Sequence, residues 1–374
     1  MPKDGHLRIL ALVTDAFGEF GGIAQYNRDL LSALSKSCLV RETVVLPRRT
    51  STDPGELPAR INQLPSPTGK LKYMASAFST ANKYAPFDIV FCGHIYMAPL
   101  AATIARLSSV PLWIQVHGLE AWDELSPPYR RAAEHAALIT SVSRYTRRRL
   151  LEWLDFDPQR VKILANTVDA RFTPGPKAEY LLRRHSALGK KVLLTVSRLP
   201  RSDRYKGVDR VIRAMPAVLE QIPDLLYIVG GEGDDRPWLE RLAVDCGVSA
   251  HVRFVGQISW AELPDYFRLA DVFVMPSTGE GFGIVFTEAV ASGIDAIGGN
   301  KDGSADALGD GTVGQAIDPT NPEELVSAIC NALCHPVRDC MRVDRYRFDR
   351  FFRHLEDLID TFFYSTRAQS ATIQ

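Results

Sequence analysis

Short apolar segments without polar alternation recur along the chain, and they restrict the fold more than any other feature. They lie at 8–14, 43–46, 88–92, 112–116, 138–142 and 161–164, and then at 191–196, 225–229, 252–255 and 272–275. A strand that is apolar at every position is typical of a parallel sheet with helices on both faces. Segments of helical length separate most of these strands, so the pattern predicts doubly wound α/β structure.

Two domains are predicted. The pattern breaks at Phe172-Thr-Pro-Gly-Pro176, where residues that end regular structure accumulate. A chain of 374 residues also exceeds the length that one hydrophobic core usually serves. We expect a first domain over 1–170 and a second over 171–344. The remaining segment, 345–374, has apolar residues at helical spacing up to 364, which indicates a terminal helix.

Composition excludes several classes of protein. A net charge of zero argues against a nucleic acid partner, although the first 175 residues are mildly basic and the rest mildly acidic. Six cysteines without a signal peptide predict reduced thiols and a cytoplasmic protein. No apolar segment reaches the length of a membrane span, so any membrane contact would be peripheral. The spacing of Cys330, Cys334, His335 and Cys340 is not that of a zinc site, and no metal is predicted.

Gly21 and Gly22 lie where the first strand gives way to a helix. Glycines there let a ligand approach the backbone, and a helix N-terminus offers N–H groups to an anion. A tight turn is the alternative. The glycine fingerprint of nicotinamide enzymes is absent here and the phosphate-binding P-loop is absent everywhere, which disfavours a dehydrogenase.

Two carboxylates eight residues apart form the strongest local signal. Glu280 lies in the loop after the strand at 272–275, and Glu288 lies about one turn inside the following helix. A carboxylate accepts two hydroxyl donors, so each suits a vicinal diol on a sugar or ribose. Backbone N–H groups from Phe282 to Val285 can hold a phosphate at the helix start. The alternative makes Glu280 a cap and Glu288 a solvated residue.

Three further side chains follow strands at the edge where α/β proteins bind ligands. Arg198 and Lys206 flank a polar loop after the strand at 191–196, and together they suit a diphosphate. His117 ends the strand at 112–116. The alternatives are a solvated basic loop, since Arg201 and Arg204 are also present, and a structural histidine.

Together these features resemble family 4 of the retaining GT-B glycosyltransferases. The motifs that match are Gly21-Gly22, His117-Gly118, Val196-Ser-Arg198 with Lys206-Gly207, Val229-Gly-Gly-Glu-Gly233 and Glu280-x7-Glu288, and they follow the family's order over about residues 7–335. The resemblance implies two Rossmann-like domains facing a central cleft. It also implies a C-terminal helix that returns to the N-terminal domain, an acceptor-binding first domain and a nucleotide-sugar-binding second domain.

The resemblance also implies roles for the matching residues. The donor phosphates are approached by Gly21 and Gly22, and the diphosphate is held by Arg198 and Lys206. Glu288 binds the ribose, while Glu280 contacts the transferred sugar together with the backbone at Phe282, Gly283, Ile284 and Val285. His117 lies near the reacting sugar, and Gly256, Gln257 and Ile258 lie beside the base. Cations and helix-start amides take the place of a metal, so the nucleotide sugar is a co-substrate and no cofactor is expected.

Two departures leave the donor open. The loop from Arg198 to Lys206 is longer than the family's usual connection, and 292–304 lacks the usual Gly-x-Pro stretch and Gly-Gly-x-Pro-Glu turn. Asn300-x-Asp302-Gly303-Ser304 resembles members that build bacterial exopolysaccharides and lipid-linked oligosaccharides. This favours GDP-mannose slightly over a UDP-hexose, and a mannosyltransferase of polysaccharide biosynthesis.

The acceptor is expected to be a glycan or a lipid-linked saccharide. Residues 70–78 and 144–149 combine basic and apolar side chains and predict a rim for a membrane-borne acceptor, at the inner face of the plasma membrane. A solvated basic surface is the alternative. Two other functions stay open: a sugar-nucleotide 2-epimerase of the same architecture, and a catalytically silent nucleotide-sugar-binding homologue.

Overall fold

A computed structural model describes residues 7–364, which form two compact units. The first unit contains the residues up to Thr167 together with those from Phe348 onward, and the second spans Val168–Arg347. Each unit has one sheet in which all neighbouring strands are parallel. This is the doubly wound α/β structure that the apolar segments predict.

Thirteen strands and thirteen α-helices lie within the described residues. The strands are β1 Leu7–Val13, β2 Val40–Pro47, β3 Ile61–Gln63, β4 Ile89–Cys92, β5 Leu112–Val116, β6 Leu138–Ser141, β7 Val161–Ile163, β8 Lys191–Val196, β9 Leu225–Gly230, β10 Val252–Gly256, β11 Val272–Met275, β12 Asp295–Gly299 and β13 Gln315–Ile317. The helices are α1 Gly22–Lys36, α2 Lys70–Lys83, α3 Ala98–Leu107, α4 Pro127–Glu134, α5 Arg144–Trp153, α6 Glu179–Arg184, α7 Val208–Gln221, α8 Arg236–Asp245, α9 Leu263–Leu269, α10 Ile284–Ala291, α11 Ser304–Ala307, α12 Pro322–Cys334 and α13 Phe348–Ile359.

In the first unit the strand order is β3-β2-β1-β4-β5-β6-β7. Its central strands are apolar on both faces, and Leu10, Leu12 and Ile114 are fully buried in the core between the sheet and its helices. Burying such side chains stabilises the sheet by about 2 kcal/mol each. The carboxyl ends of β1, β4 and β5 therefore lie side by side on a rigid base.

The terminal helix α13 belongs to the first unit, where it packs against α1. The Tyr26 and Phe351 rings meet edge to face at 6.0 Å, and the Ser37 hydroxyl donates to the Glu356 carboxylate over 3.0 Å. The Lys36 ammonium lies 4.5 Å from the centre of the Phe348 ring. The predicted return of the C-terminal helix to the N-terminal unit is thus confirmed. The helix is interrupted, however: a 3-10 turn at Cys340–Tyr346 precedes α13, and a short π-helical segment, Asp360–Tyr364, follows it.

In the second unit the strand order is β10-β9-β8-β11-β12-β13. One face of the sheet packs on α7 and α12 through Met215, Ile329 and other buried apolar side chains. On the other face the Phe273 and Phe286 rings pack edge to face at 5.6 Å, which joins β11 to α10. These contacts fix where α10 begins relative to the strand ends.

Three strands, β3, β12 and β13, fall outside the predicted set. The strand β12 has the sequence Asp-Ala-Ile-Gly-Gly, in which a β-carbon at Gly298 would lie 2.7 Å from the Phe286 ring. Close helix packing thus requires glycine in this strand, and glycine hides the apolar run by which a strand is recognised.

All six cysteines are thiols rather than disulfides. Within residues 7–364, no helix has the length and apolarity needed to cross a membrane.

Candidate active site

In the second unit the carboxyl ends of β8, β9, β11 and β12 meet at one edge, which brings distant segments together. Arg198 follows β8, the loop from Ser277 to Gly283 follows β11, and Asn300 follows β12. The edge therefore gathers the basic loop and the Glu280 loop that the sequence singles out.

Lys206 and Glu280 are in direct contact at this edge. The Lys206 ammonium donates a hydrogen bond to the Glu280 carboxylate, and the two side chains are only 13% and 14% exposed. Burial acts to lower the pKa of Lys206, but the charge of Glu280, with Tyr205 and Asp203, outweighs it, and the pKa is raised. The ammonium group is thus charged at neutral pH.

The loop that carries Lys206 is attached to the loop after β11. It forms a 3-10 turn over Arg201–Lys206 that ends at Gly207, whose φ is 78° and whose β-carbon would lie 2.5 Å from the Pro276 carbonyl oxygen. The Thr278 N–H donates to the Tyr205 carbonyl over 2.9 Å. Because both loops are held together by backbone contacts, the Lys206–Glu280 pair does not depend on the side chains alone.

The arginines of this loop differ in what they contact. Arg204 donates through two nitrogens to the buried Asp235 carboxylate, over 2.7 and 2.6 Å, and so braces the loop. Arg198 lies 2.8 Å from an oxygen of Asp203, but its side chain is 76% exposed. Arg198 therefore keeps a charged face open to a ligand, whereas Arg204 is structural.

The helix α10 begins directly after the Glu280 loop. Gly283 precedes it with a φ of 85°, and a β-carbon there would lie 2.6 Å from the Phe286 ring. The first N–H groups of a helix, here those of Ile284 and Val285, have no partner within the helix and favour an anion. Glu288 lies one turn further and is buried, 3% exposed. It is not the solvated helix residue of the alternative interpretation.

The segment Gly256-Gln257-Ile258 begins at the last residue of β10, at the same edge of the sheet. Gly256 has a φ of 75°, and its carbonyl accepts from the Gly231 N–H over 2.7 Å. A β-carbon at Gly230 would lie 2.3 Å from the Ile258 side chain. Gln257 is exposed. The glycines after β9 and β10 therefore allow two loops to pack closely, with Gln257 outside the contact.

His117 lies in the first unit, at the end of β5. Its Nε2 is 2.9 Å from the Gly93 carbonyl oxygen, which can only accept, so Nε2 carries the proton. Burial lowers the pKa of His117 to about 4, against the opposing charge of Glu120. The ring is therefore neutral at pH 7, and its Nδ1 is an acceptor.

Two titratable groups at the ends of neighbouring strands, His94 and Asp15, were not singled out from the sequence. His94 follows β4, its ring centre is 6.1 Å from that of His117, and its pKa is lowered by burial. Asp15 follows β1, and burial raises its pKa. The signal that predicts them is their position alone: each comes directly after a buried strand of the same sheet.

Gly21 and Gly22 lie at the start of α1 in the first unit and differ in backbone conformation. Gly21 has φ 113° and ψ 167°, a conformation that only glycine adopts readily. Gly22 has no positive φ, and a β-carbon there would meet nothing within 4 Å. The fold of the chain thus explains the glycine at 21 but not the glycine at 22.

Over residues 7–364, no three His, Cys, Asp or Glu side chains are grouped so that they could hold a metal ion. Asp157, the second acid of the sequence Asp155-Phe-Asp157, accepts the Gln159 N–H over 2.8 Å and caps a short 3-10 helix.

Comparison with known proteins identifies the family. The model described as "Glycosyltransferase Family 4" matches residues 20–172, and the model "Glycosyl transferases group 1" matches residues 181–346. A Mycobacterium tuberculosis protein named "GDP-mannose-dependent alpha-(1-6)-phosphatidylinositol monomannoside mannosyltransferase" is 30% identical over 87% of this chain and 89% of its own. A Mycolicibacterium smegmatis protein of the same name is 34% identical over 65% of this chain and 66% of its own.

Solved structures agree on the fold. Anabaena HepE in complex with UDP-glucose superposes with a TM-score of 0.77 at 18% identity, covering 95% of this chain and all of its own. The apo form of the lipopolysaccharide outer core galactosyltransferase WaaB gives 0.72 at 17% identity over 95% of this chain and 99% of its own. The chain therefore belongs to glycosyltransferase family 4, the retaining nucleotide-sugar glycosyltransferases of the GT-B fold.

Proposed function

We propose that this protein transfers mannose from GDP-mannose, with retention, to a glycan or a lipid-linked saccharide. In this proposal the second unit binds the donor and the first binds the acceptor. The observation that carries it is the contact between the Lys206 ammonium and the Glu280 carboxylate, beside the N-terminus of α10. One edge of the sheet then presents a cation for a diphosphate and a carboxylate for a sugar.

The donor diphosphate is assigned to Lys206, Arg198 and the first turn of α10. An ammonium group has three N–H donors, so Lys206 can keep its bond to Glu280 and still donate to a phosphate. The exposed Arg198 guanidinium adds a second, bidentate donor. As the bond to the sugar breaks, negative charge grows on the leaving GDP, and these fixed charges stabilise it.

The two glutamates are assigned to different diols of the donor. Glu280 lies before α10 and beside the Lys206 ammonium, so we assign it to the transferred sugar, next to the diphosphate. Glu288 lies one turn inside the helix and is assigned to the ribose hydroxyls. Gly256, Gln257 and Ile258, after β10, are assigned to the base.

His117, in the first unit, is assigned to a hydroxyl of the sugar. The neutral His117 ring donates a hydrogen bond from Nε2 to the Gly93 carbonyl, so its Nδ1 can accept a hydrogen bond. A hydroxyl donor fits that nitrogen, whereas a phosphate does not. Gly22, with open space in place of a side chain, is assigned to the donor phosphates.

GDP-mannose is favoured by the names of the relatives. Proteins that are 26% to 34% identical carry names that specify GDP-mannose as donor and a phosphatidylinositol monomannoside as acceptor. At this identity the reaction class carries over more safely than the acceptor, so we propose a lipid-linked or glycan acceptor without specifying its headgroup.

A surface of α2 suits a membrane-borne acceptor. Leu71, Met74 and Phe78 lie on one face of the helix and are 80%, 37% and 38% exposed. The exposed Lys70 and Lys72 flank them, and the helix has no acidic residue. A basic helix with an exposed apolar face binds anionic lipid, so we propose that this face docks on the membrane.

The second basic segment, in α5, contributes less to such a rim. Arg147 donates to the carbonyls of Val161 and Pro158, over 2.8 and 2.7 Å, and Arg149 pairs with Asp123 and Glu152. Only Arg144 and Arg148 of the four arginines are exposed.

The α2 face is therefore the part to test, by sedimentation with vesicles of phosphatidylglycerol or of phosphatidylcholine. Leu71→Ser with Phe78→Ser should abolish binding to the anionic vesicles.

The proposed donor is tested by thermal shift of the purified protein with GDP, UDP, ADP and TDP and their sugar conjugates, without added metal. We expect the largest stabilisation from GDP and GDP-mannose. NMR of the sugar products then separates transfer or hydrolysis from epimerisation at C2. Stabilisation by UDP alone would contradict the GDP proposal, and stabilisation by GDP-mannose without any sugar product would favour the catalytically silent homologue.

A further inference from the structure

We propose that Asp302 is a positioning residue for the transfer reaction, because it fixes the backbone from which the Glu280 side chain projects. This inference rests on the proposed function, in which Glu280 contacts the transferred sugar. Asp302 follows β12, in a segment where the sequence departs from the usual pattern of the family.

The Asp302 carboxylate joins two segments that are far apart in the chain. One oxygen accepts the Glu280 N–H over 2.7 Å and also the Ser277 hydroxyl, and the other oxygen accepts the Ser304 N–H over 2.9 Å. The residue is 1% exposed. A buried carboxylate is unfavourable unless it is fully hydrogen-bonded, so these three donors account for its presence there.

The residue after Asp302 holds the other side of Glu280. The Gly303 N–H donates to the Glu280 carbonyl over 2.8 Å, and a β-carbon at Gly303 would lie 1.9 Å from the Gly281 carbonyl oxygen. Glu280 is thus held at its N–H by Asp302, at its carbonyl by Gly303 and at its carboxylate by Lys206. Turnover requires that a catalytic group is held within a small positional tolerance, and these three contacts restrict Glu280 in that way.

The chemistry of this site favours aspartate over asparagine. All three neighbours donate, and a carboxylate has only acceptors to offer them. The amide of an asparagine has one acceptor oxygen, so its NH₂ group would face either the Ser304 N–H or the N–H of Glu280. The backbone at Glu280 would then move, while the contacts of the Lys206 loop, which are made to Pro276 and Thr278 earlier in that loop, would be kept.

The experiment compares Asp302→Asn with the wild type in two measurements. The first is GDP affinity by calorimetry, and the second is steady-state release of GDP from GDP-mannose with water as the acceptor. We expect a turnover at least about 10-fold lower with a GDP dissociation constant within about twofold, because positioning acts on the reacting sugar. Gly303→Ala should behave in the same way, since it displaces the loop from its other side.

A matched control distinguishes positioning from loss of stability. Asp295 is also a buried aspartate, at the opposite end of β12, and accepts from the Val337 N–H over 2.7 Å and from Arg342 over 3.1 Å. Asp295→Asn should lower the unfolding temperature without a change in turnover. Ser277→Ala removes one donor to Asp302 but leaves its bond to the Glu280 N–H, so it should reduce turnover less than Asp302→Asn.

The inference is overturned if Asp302→Asn and Gly303→Ala keep turnover within about twofold of the wild type. It is also overturned if GDP affinity falls in parallel with turnover, because the whole donor site would then be disrupted. Should Asp302→Asn fail to fold, Gly303→Ala and Ser277→Ala decide the question. A wild-type protein that neither binds GDP nor cleaves GDP-mannose would refute the proposed function instead.

Discussion

Lys206 donates a hydrogen bond to Glu280 although the two residues lie 74 positions apart in the chain. Both side chains are largely buried, 13% and 14% exposed. Breaking such a pair by removing one member leaves the other charge buried without its partner, which costs more than the pair itself contributes. In the proposed function, the pair would therefore link the stability of this edge of the sheet to the binding of the donor.

Replacing Lys206 by alanine should weaken both diphosphate binding and turnover. We expect GDP affinity to fall by about 10-fold and turnover by about 100-fold, because the ammonium group stabilises charge that grows on the leaving group. We also expect the free energy of unfolding to fall by about 3 kcal/mol, since Glu280 loses its partner. Calorimetry with GDP and GDP-mannose cleavage measure the first two effects, and urea unfolding measures the third.

Arg201 provides a control for Lys206 in the same 3-10 turn. Its side chain is 72% exposed and lies 3.7 Å from the equally exposed Asp234. Arg201→Ala should leave GDP affinity, turnover and stability near their wild-type values. Wild-type turnover in Lys206→Ala would remove Lys206 from the active site.

Replacing Glu280 by alanine should separate turnover from nucleotide binding. Turnover should fall at least about 100-fold because the sugar loses its contact, whereas GDP lacks the sugar and should bind nearly as before. Glu280→Gln keeps an acceptor for Lys206 and should bind GDP normally while it remains slow. Equal losses of GDP affinity and turnover in Glu280→Ala would refute the sugar contact.

Most of the fold could be predicted from the sequence because its sheets are parallel. Strands such as β5 and β8 are mostly apolar without polar alternation, and His117 and Arg198 follow their ends. The strand β12 escaped prediction because it contains Gly298 and Gly299, whose missing side chains make room for Phe286 and for the Ser277 carbonyl. Because β12 contains glycines that permit close contacts in place of apolar side chains, it lacks the hydrophobic pattern by which a strand is predicted from sequence.

The site could be predicted only in part. The sequence identifies Lys206 and Glu280 as separate motifs, but their contact depends on the backbone pairing of two loops. It gives no reason to separate Arg204 from Arg198, because the partner of Arg204 is the buried Asp235 in a third segment. Roles that pass through such distant contacts, as for Asp302, are visible only in the fold.

Alanine substitution at the two adjacent glycines, Gly21 and Gly22, should have opposite effects on stability. Gly22→Ala should leave the unfolding temperature within about 1 °C of the wild type, since a β-carbon at 22 meets nothing within 4 Å. If Gly22 approaches the donor phosphates, the KM for GDP-mannose should nevertheless rise by about 10-fold or more. Gly21→Ala, at φ 113° and ψ 167°, should instead destabilise the protein by about 1–3 kcal/mol.

Differential scanning fluorimetry and donor kinetics on both variants check this pair. An unchanged KM for GDP-mannose in Gly22→Ala would contradict contact between residue 22 and the donor. An unchanged unfolding temperature in Gly21→Ala would contradict the backbone conformation at residue 21.

The neutral state of His117 predicts how stability depends on pH. Burial lowers the pKa of His117 to about 4, whereas an unfolded histidine titrates near 6.5. Between these values the unfolded chain binds a proton that the folded chain does not, so the free energy of unfolding falls as the pH is lowered from about 6.5 towards 4.

His117→Gln removes this group and should make the decline shallower. His94, whose pKa is also lowered, remains in the variant and keeps part of the decline. Urea unfolding at pH 7, 6 and 5 measures the slope, with His135→Gln, at an exposed position, as control. An identical slope in His117→Gln and in the wild type would show that the pKa of His117 is the same in the folded and the unfolded protein, and it would contradict a ring that burial keeps neutral.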